Sequence, residues 1–395
     1  MPKPRRHETR NADLIEWCEA EFRRYLHVPS PGFLYATLGV IAANCYRGMP
    51  IWLMLVGPSG CGKSNLLMAV AESRPDWFRV LSDASRSAFL SGTGKRDKSA
   101  DATGGLLQEI ANKDVRFIVF KEYGSILDQR RDDYSQISAM QREIWDGSVF
   151  RPVGTDGGKT LTWNGKVGEL AACTNRIDDV LSEETMRGVR WLLWRYPQSS
   201  GWQEALRAGE QSDPAEMREA LTAAVGAVLN AADLEWNMEL DRDLSGRESL
   251  RINRLAAFSA QLQGAIIRDK YRPDEVVQIP SETYPTRLGP ALVRIYLGME
   301  RIGIEESLRW EQIEQICWDT APALRVATLR EFTRMWTEKS NVDWNILAEV
   351  VRCGRKAVQR SMEDLALLGV VNRVHDPAGW TYSIPKEVQE HLRLT

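Results

Sequence analysis

The most informative segment of this 395-residue chain is Gly57-Pro58-Ser59-Gly60-Cys61-Gly62-Lys63-Ser64. It follows the apolar run Ile51–Val56 and precedes a helical pattern over Ser64–Ser73. Its spacing, GxxxxGK(S/T), is typical of a phosphate-binding loop, where glycines let backbone N–H groups converge on phosphate oxygens and a helix N-terminus adds positive charge. We expect all eight residues to bind ATP, with Lys63 at the β- and γ-phosphates and the Ser64 hydroxyl on Mg²⁺. A chance match is disfavoured because a strand pattern precedes the loop and a helix pattern follows it.

Two further apolar runs, Arg116–Phe120 and Gly168–Thr174, predict buried strands, and a helical pattern over Tyr134–Trp145 lies between them. Strands that are apolar on both faces and alternate with helices are typical of a parallel sheet. The fold class that we predict is therefore α/β, as in a P-loop NTPase of AAA+ type.

The strand that should carry the acidic partner of the loop ends in Lys121-Glu122. By strict spacing, lysine occupies the position where a metal-binding aspartate is expected. Glu122 is then either the carboxylate that serves the metal, or the general base with the metal held by Ser64, phosphates and water. A third alternative is slow or absent hydrolysis, with ATP bound as a structural ligand.

Polar and basic residues follow the third strand. Thr174 and Asn175 occupy the sensor-1 position, which orients water between the strand-end acid and the γ-phosphate; the alternative is a plain strand-terminating turn. Arg190, and after it Arg187, is the candidate finger that reaches the nucleotide of a neighbouring subunit. The alternative is a surface arginine whose stem packs on tryptophan. Arg287 is a weaker candidate for a nucleotide contact from the helical lid.

Residues Arg151–Trp163 predict a hairpin, because Asp156-Gly157-Gly158 lies between β-forming segments. A hairpin before sensor 1 is the element that some ring helicases insert into their channel. Arg151 and Lys159 are the candidate phosphate contacts, and a solvated surface hairpin is the alternative.

Several motifs resemble a group of ATP-binding proteins from phages and mobile elements, which is similar in layout to AAA+ ATPases and associated with helicases or primases. The resemblance covers roughly residues 30–300, and its motifs are 102–107, 121–127, 142–147, 154–163 and Gly188-Val189-Arg190-Trp191. It implies that Lys121 is a trait of the group, that Glu122 replaces an aspartate, and that Arg190 is favoured over Arg187. Asn175 departs from the group's proline, which favours Thr174 as the operative sensor.

Residues 325–384 predict the order helix, helix, turn, helix, hairpin, which is that of a winged helix. The exposed start of its third helix would contact DNA. The candidate contacts are Arg355, Lys356, Gln359 and Arg360. A winged helix that serves protein contacts or subunit packing is the alternative.

The sequence thus predicts four segments: an N-terminal helical segment (1–48), an AAA+-like core (49–200), a helical lid (201–324) and a C-terminal winged-helix domain (325–395). The formal net charge of -3 argues against a generally basic nucleic-acid coat but allows local basic patches. Six scattered cysteines, no signal peptide and no long apolar run predict a cytoplasmic protein without a membrane partner.

The function that these features predict is an ATP-driven DNA-processing motor, a helicase-like replication protein that works as a homo-oligomeric ring. The alternative is a nucleotide-switched regulator or helicase loader that binds DNA or a protein without translocating. A small-molecule kinase is disfavoured because a lid and a winged helix provide no second-substrate pocket.

Overall fold

The computed structural model describes residues 6–82, 84–90, 105–153, 159–188, 190–197, 201–210, 213–280, 284–336, 343–377 and 379–393. The strands are β1 (Trp52–Val56), β2 (Phe78–Leu81), β3 (Phe117–Phe120), β4 (Ser148–Val153), β5 (Lys159–Asn164), β6 (Gly168–Cys173), β7 (Trp191–Arg195), β8 (Asn372–Asp376) and β9 (Gly379–Ser383). The helices are α1 (Arg6–Tyr25), α2 (Gly32–Cys45), α3 (Lys63–Ser73), α4 (Arg86–Phe89), α5 (Leu106–Asn112), α6 (Gly124–Leu127), α7 (Arg131–Trp145), α8 (Ile177–Arg187), α9 (Trp202–Glu210), α10 (Pro214–Ala231), α11 (Gly246–Gln263), α12 (Leu288–Arg301), α13 (Glu306–Asp319), α14 (Ala323–Met335), α15 (Trp344–Val351), α16 (Arg355–Leu367) and α17 (Lys386–Arg393).

The predicted α/β class is confirmed by a five-stranded parallel sheet in the order β2-β3-β6-β1-β7. All residues of β1, β3 and β6 are buried, which explains why these strands, apart from Glu169 in β6, are apolar on both faces. In register, Val56 of β1 pairs with Cys173 of β6, and Phe120 of β3 pairs with Ala171. The carboxyl ends of β1, β3 and β6 therefore meet at one edge of the sheet.

Within the predicted lid, the amphipathic pattern over Arg251–Lys270 predicts a helix, whereas the observed helix α11 begins at Gly246 and ends at Gln263. The Ser245 side chain accepts from the Glu248 N–H, and the Glu248 carboxylate accepts from the Ser245 N–H. This capping box starts the helix five residues earlier than its apolar pattern suggests. Gly264 ends it.

The chain divides into two compact units, and the first comprises residues 1–177, 190–241 and 294–310. It contains the parallel sheet, the β4–β5 hairpin and the wholly buried helix α2. Helix α10 packs against α3 and α1. Helix α10, which the sequence placed in a lid, thus belongs to the same unit as the glycine-rich loop.

The second unit comprises residues 178–189, 242–293 and 311–395. Helices α14, α15 and α16, the antiparallel β8–β9 hairpin and α17 surround one apolar core that includes Leu329, Leu347, Met362 and Tyr382. The predicted order of helix, helix, turn, helix, hairpin is observed. The unit cuts across the predicted 201–324 and 325–395 boundary, because Phe258 and Leu262 of α11 pack into this core.

Among the described helices, none combines the length and the apolar character that crossing a membrane requires. All six cysteines are free thiols, and Cys353 is the exposed one.

Candidate nucleotide-binding site

The glycine-rich loop joins the buried strand β1 to the helix α3, as its sequence predicts. Gly60 and Gly62 adopt φ angles of 85° and 88°, a left-handed backbone that favours glycine. Gly62 is the N-cap residue of α3 and, as a glycine, has no side chain to accept from the first N–H groups of this helix. The helix N-terminus therefore offers backbone donors and partial positive charge to an anion.

Two residues that the sequence did not single out hold this loop on both sides. A Cβ on Gly57 would lie 2.9 Å from the Tyr196 Cβ, and a Cβ on Gly62 would lie 3.1 Å from Leu26 Cδ1. Tyr196 follows β7 and its N–H donates to the carbonyl of Val56 at 2.8 Å. Only the strand order shows that β7 neighbours β1, so the sequence offered no signal for Tyr196.

Lys63 is buried, with 5% of its surface exposed. Its Nζ donates to the carbonyl oxygens of Gly57 at 2.9 Å and Pro58 at 2.6 Å. The ammonium group thus lies inside the loop, and both of these acceptors are neutral backbone oxygens. An anionic ligand could replace these neutral acceptors with a stronger hydrogen bond between charged groups, so the arrangement suits an incoming phosphate.

Ser64 lies next to the end of the acid-bearing strand. Its Oγ donates to the carbonyl oxygen of Lys121 at 3.5 Å, at the long limit of a hydrogen bond. The following residue, Glu122, is exposed, and its Oε1 accepts from the N–H of Gly124 at 3.0 Å. The hydroxyl proposed for Mg²⁺ and the backbone that carries the strand-end carboxylate are thereby brought into contact.

Strand β6 lies between the loop strand and the acid strand. The N–H of Gly57 donates to the Cys173 carbonyl at 3.1 Å, and the N–H of Tyr123 donates to the Ala172 carbonyl at 2.7 Å. Burial raises the pKa of the Cys173 thiol to about 12; the negative charge of Glu122 adds to this and the positive charge of Lys63 opposes it. The end of β6 thus lies within electrostatic reach of both charged groups.

Thr174 and Asn175 follow Cys173 at this same edge, as predicted. Thr174 is half-buried and its carbonyl accepts from the N–H of Ile177 at 3.4 Å, whereas Asn175 is exposed. Both lie beyond a strand whose two neighbours carry the loop and Glu122. The order of the strands therefore accounts for the position of Thr174 and Asn175, and their role in orienting water stays a prediction.

A pocket of about 260 Å³ opens beside Ser64, between α3 and α10. Asn65, Met68, Lys121 and Met217 are part of its wall. Its volume is below the range of about 300–1,000 Å³ that is usual for ligand pockets, so it would take only part of a ligand.

The loop residues fit the phosphates of a nucleotide, because a cradle of glycines, uncapped N–H groups and a buried lysine converge there. Among the described residues, no group of three or more His, Cys, Asp or Glu side chains could hold a metal ion alone. Mg²⁺ commonly keeps several waters and takes one or two protein oxygens beside substrate phosphates. Ser64, with or without Glu122, fits that mode.

A buried polar chain that the sequence did not predict runs beneath Glu122. The Tyr123 hydroxyl donates to Gln141 Oε1 at 2.7 Å, and Gln141 Nε2 donates to Glu169 Oε2 at 2.9 Å. Glu169 is fully buried in β6, its Oε1 has no hydrogen-bond partner, and burial raises its pKa well above the usual range. In the sequence, a glutamate inside an otherwise apolar strand was the signal for this feature. This chain of hydrogen bonds fixes Tyr123, the neighbour of Glu122.

The candidate arginines have separate surroundings. The Arg190 side chain is 8% exposed, lies 4.8 Å over the Trp145 ring and pairs with Asp146 at 3.5 Å. A contact with another subunit would require it to leave α7, and its role as a finger stays a prediction. Arg187 ends α8, and its side chain is outside the described part. Arg287 is exposed in the second unit.

The predicted hairpin is present as β4 and β5. Arg151 donates to the carbonyl oxygen of Leu90, so its guanidinium is engaged within the first unit. The turn 154–158 and the side chain of Lys159 lie outside the described residues, as do residues 102–104 and Val189 of the motifs. DNA contact by this hairpin stays a prediction.

The candidate DNA contacts on α16 differ in availability. Arg355 and Lys356 are exposed, and Gln359 is half-buried. Arg360 Nε donates to Asp274 Oδ1 at 2.7 Å, so this arginine already has an acidic partner. Further along α16, Glu363 and Asp364 pair with Arg268 at 3.4 and 2.7 Å, and Glu363 also pairs with Arg373.

No family profile matches the chain, and no curated protein matches it. Among solved structures it is similar to the A-form apo structure of the NrS-1 C-terminal region, with 11% identity over 97% of this chain and 79% of that chain. The TM-score of this similarity is 0.32. Function must therefore be argued from the residues themselves.

Proposed function

We propose that this chain is an ATPase of AAA+ type that binds ATP and Mg²⁺ at Gly57–Ser64 and serves as a helicase-like DNA-processing motor of a phage or mobile element. The observation that carries the proposal is the contact of the Ser64 hydroxyl with the Lys121 carbonyl at the strand end that bears Glu122. It brings the phosphate loop and the strand-end acid to one place. A glycine-rich loop without a carboxylate nearby would bind phosphate but would lack a group to activate water for hydrolysis.

The sheet order supports the AAA+ assignment. Because β6 separates β1 from β3, the polar tip of β6 lies between the loop and Glu122. This is the arrangement that the sensor-1 interpretation of Thr174 and Asn175 requires. A chain in which β1 and β3 were neighbours would not support it.

Each residue has a defined task in this proposal. Lys63 and the N–H groups of α3 bind and orient the phosphates, and Ser64 supplies a metal ligand. Glu122 accepts a proton from the attacking water once its carboxylate leaves the Gly124 N–H. Thr174 holds that water in line. Bound ATP supplies the phosphoryl group and Mg²⁺ the positive charge that stabilises its transfer.

A nucleotide-switched regulator or loader is the second candidate, and one observation favours it. Lys121 stands at the position of a metal-binding aspartate, and the nearby carboxylate of Glu122 faces its own backbone. Such a site would bind ATP tightly and hydrolyse it slowly. DNA as a partner and assembly into a homo-oligomeric ring are part of the motor, whereas the switch would bind DNA or a protein partner without translocating.

The test measures ATP hydrolysis by the full chain with no DNA, with single-stranded DNA and with duplex DNA. Glu122→Gln is compared with Glu16→Gln, a matched change of an exposed glutamate on α1. The motor predicts hydrolysis that DNA stimulates and that only Glu122→Gln abolishes, with ATP binding retained in both variants.

Two other results would redirect the proposal. Slow turnover that ignores DNA, together with assembly that depends on nucleotide, favours the switch. The motor is wrong if the wild-type chain hydrolyses no ATP under any of the three conditions.

A further inference from the structure

A short turn in the second unit, residues Arg268–Val276, presents an aromatic side chain to solvent; we refer to it as the Tyr271 turn. Its two arms pair through an antiparallel bridge between Arg268 and Val276. The N–H of Asp269 donates to the Glu275 carbonyl at 2.9 Å, and the N–H of Val277 donates to the Ile267 carbonyl at 2.9 Å. The turn is therefore a closed hairpin-like element.

The tip of this turn is held by its own hydrogen bonds. Asp269 Oδ1 accepts from the N–H of Tyr271 at 2.8 Å and from the N–H of Arg272 at 2.7 Å. Arg268 Nη1 donates to the Pro273 carbonyl at 3.1 Å. Tyr271 is 87% exposed on this ordered tip. Isolated exposed apolar side chains are common, but an aromatic ring on a preorganised tip has a low entropic cost of binding.

Two ion pairs align the Tyr271 turn along α16. Arg268, at the base, pairs with Asp364, and Asp274, beside the tip, pairs with Arg360, each at 2.7 Å. Positions 360 and 364 are about one helical turn apart, so the tip is directed toward the N-terminal end of α16. The hydrogen bond from Arg360 lowers the pKa of Asp274, and the positive charge of Lys356 contributes. Lys356 lies about one helical turn before Arg360, the residue that pairs with Asp274.

Exposed cations lie around the tip of the turn. Lys270 and Arg272 flank Tyr271, and Arg355 and Lys356 open α16; all four are exposed. Three carboxylates lie on the turn: Asp274 pairs with Arg360, Glu275 pairs with Arg272 at 2.9 Å, and Asp269 accepts from two backbone N–H groups. The tip therefore combines an exposed ring with exposed cations beside carboxylates that are paired or hydrogen-bonded.

We propose that the Tyr271 turn and the N-terminal end of α16 bind single-stranded DNA, with a base stacked on the Tyr271 ring and phosphates at Lys270 and Lys356. Bases of a duplex stack on each other and offer no free face, whereas an unpaired base can stack on an aromatic side chain. The inference rests on the proposed function, in which DNA is the partner. It adds that the DNA is single-stranded and that Tyr271 distinguishes single-stranded from duplex DNA.

The experiment measures fluorescence anisotropy of a labelled oligothymidylate and of a labelled duplex with the full chain. Tyr271→Ala is compared with Tyr271→Trp and with Tyr284→Ala, a matched change of a tyrosine that is 72% exposed in the same unit. We expect Tyr271→Ala to weaken single-strand binding about tenfold and duplex binding far less. Tyr271→Trp and Tyr284→Ala should bind like the wild type.

Lys270→Ala serves as the second variant, because it tests the phosphate contact without touching the ring. It should weaken single-strand binding and lower the slope of log affinity against log salt by about 0.7. Hydrolysis of ATP without DNA should be unchanged in Tyr271→Ala, since the residue is not among those that form the loop.

Equal single-strand affinity of Tyr271→Ala and the wild type would overturn the inference and leave the proposed function intact. Equal losses for single strand and duplex would overturn the stacking contact as well. If the wild-type chain binds no DNA of either form, the DNA partner of the proposed function is wrong together with this inference.

Discussion

The glycine-rich loop of the first unit and the α16 region of the second unit hold their charged side chains in different ways. Lys63 rests on neutral backbone carbonyls, and Glu122 rests on a backbone N–H. On and beside α16, Arg360 and Asp364 are held in ion pairs. Neutral partners are easily replaced by a ligand, whereas breaking an ion pair leaves a charge without compensation.

This difference indicates which charged side chains in each region a ligand could engage. In the loop, the groups that the sequence singled out are the ones poised for a ligand. On α16, Arg360 is held in an ion pair, whereas Arg355 and Lys356, which the sequence also singled out, are exposed at the helix start. Four changes test this contrast, from the largest expected effect to the smallest.

Lys63→Ala tests whether the buried ammonium serves the nucleotide. Removing one preorganised charge from a site of phosphoryl transfer typically costs about 10²–10³ in rate, and we expect ATP hydrolysis to fall by that factor. Phosphate release measures it. A folded variant with the wild-type rate would contradict the assignment of the loop.

Arg325→Ala tests whether the ion pairs of the second unit are structural. Arg325 is buried, donates to the carbonyls of Leu262 at 2.6 Å and Gly264 at 2.9 Å, and pairs with Asp364. Its loss leaves buried acceptors unpaired, so the free energy of unfolding should fall by about 3 kcal/mol. Arg360→Ala, which breaks a more exposed pair, should cost less than about 1 kcal/mol. Denaturant unfolding compares the two, and equal losses would remove the distinction.

Glu169→Gln tests the buried acid beneath the candidate site. Its folded pKa lies above the ordinary value of 4.5, so its contribution to stability is complete below that pH and is lost as pH rises toward the folded pKa. The wild type should therefore lose up to about 1.4 kcal/mol per pH unit relative to Glu169→Gln above pH 4.5. Unfolding curves at several pH values measure this difference, and parallel curves for the two proteins would refute it.

Asp274→Ala tests whether the acid beside the Tyr271 turn restrains DNA binding. The change releases Arg360 and removes a negative charge near Lys356, so single-strand affinity should rise about two- to threefold. Anisotropy titration measures it, with Glu349→Ala, an exposed acid on α15, as control. An unchanged or lower affinity would show that Arg360 makes no contact when it is released.

The sequence by itself determined the elements whose signals are local. The amphipathic pattern over Pro214–Ala231 predicts a helix, and α10 has these same bounds because Asp213 caps it and its apolar pattern is regular. The predictions of strand β1 and the following loop also depended on local signals, an apolar run and the spacing of glycines. The start of α11 differs from the one that its apolar pattern predicts, because a capping box starts the helix earlier; that signal is also local.

Only the tertiary structure decided which of these segments meet. No short-range pattern reports that β6 separates β1 from β3, that Tyr196 supports Gly57, or that Asp274 engages Arg360 from 86 positions away. Turns, caps and periodicity depend on neighbours within a few residues, whereas strand order and ion pairing depend on how the whole chain packs. The glycine-rich loop could therefore be recognised in the sequence, whereas its closeness to Glu122 and to the end of β6, and the position of Tyr271 beside α16, follow only from the fold.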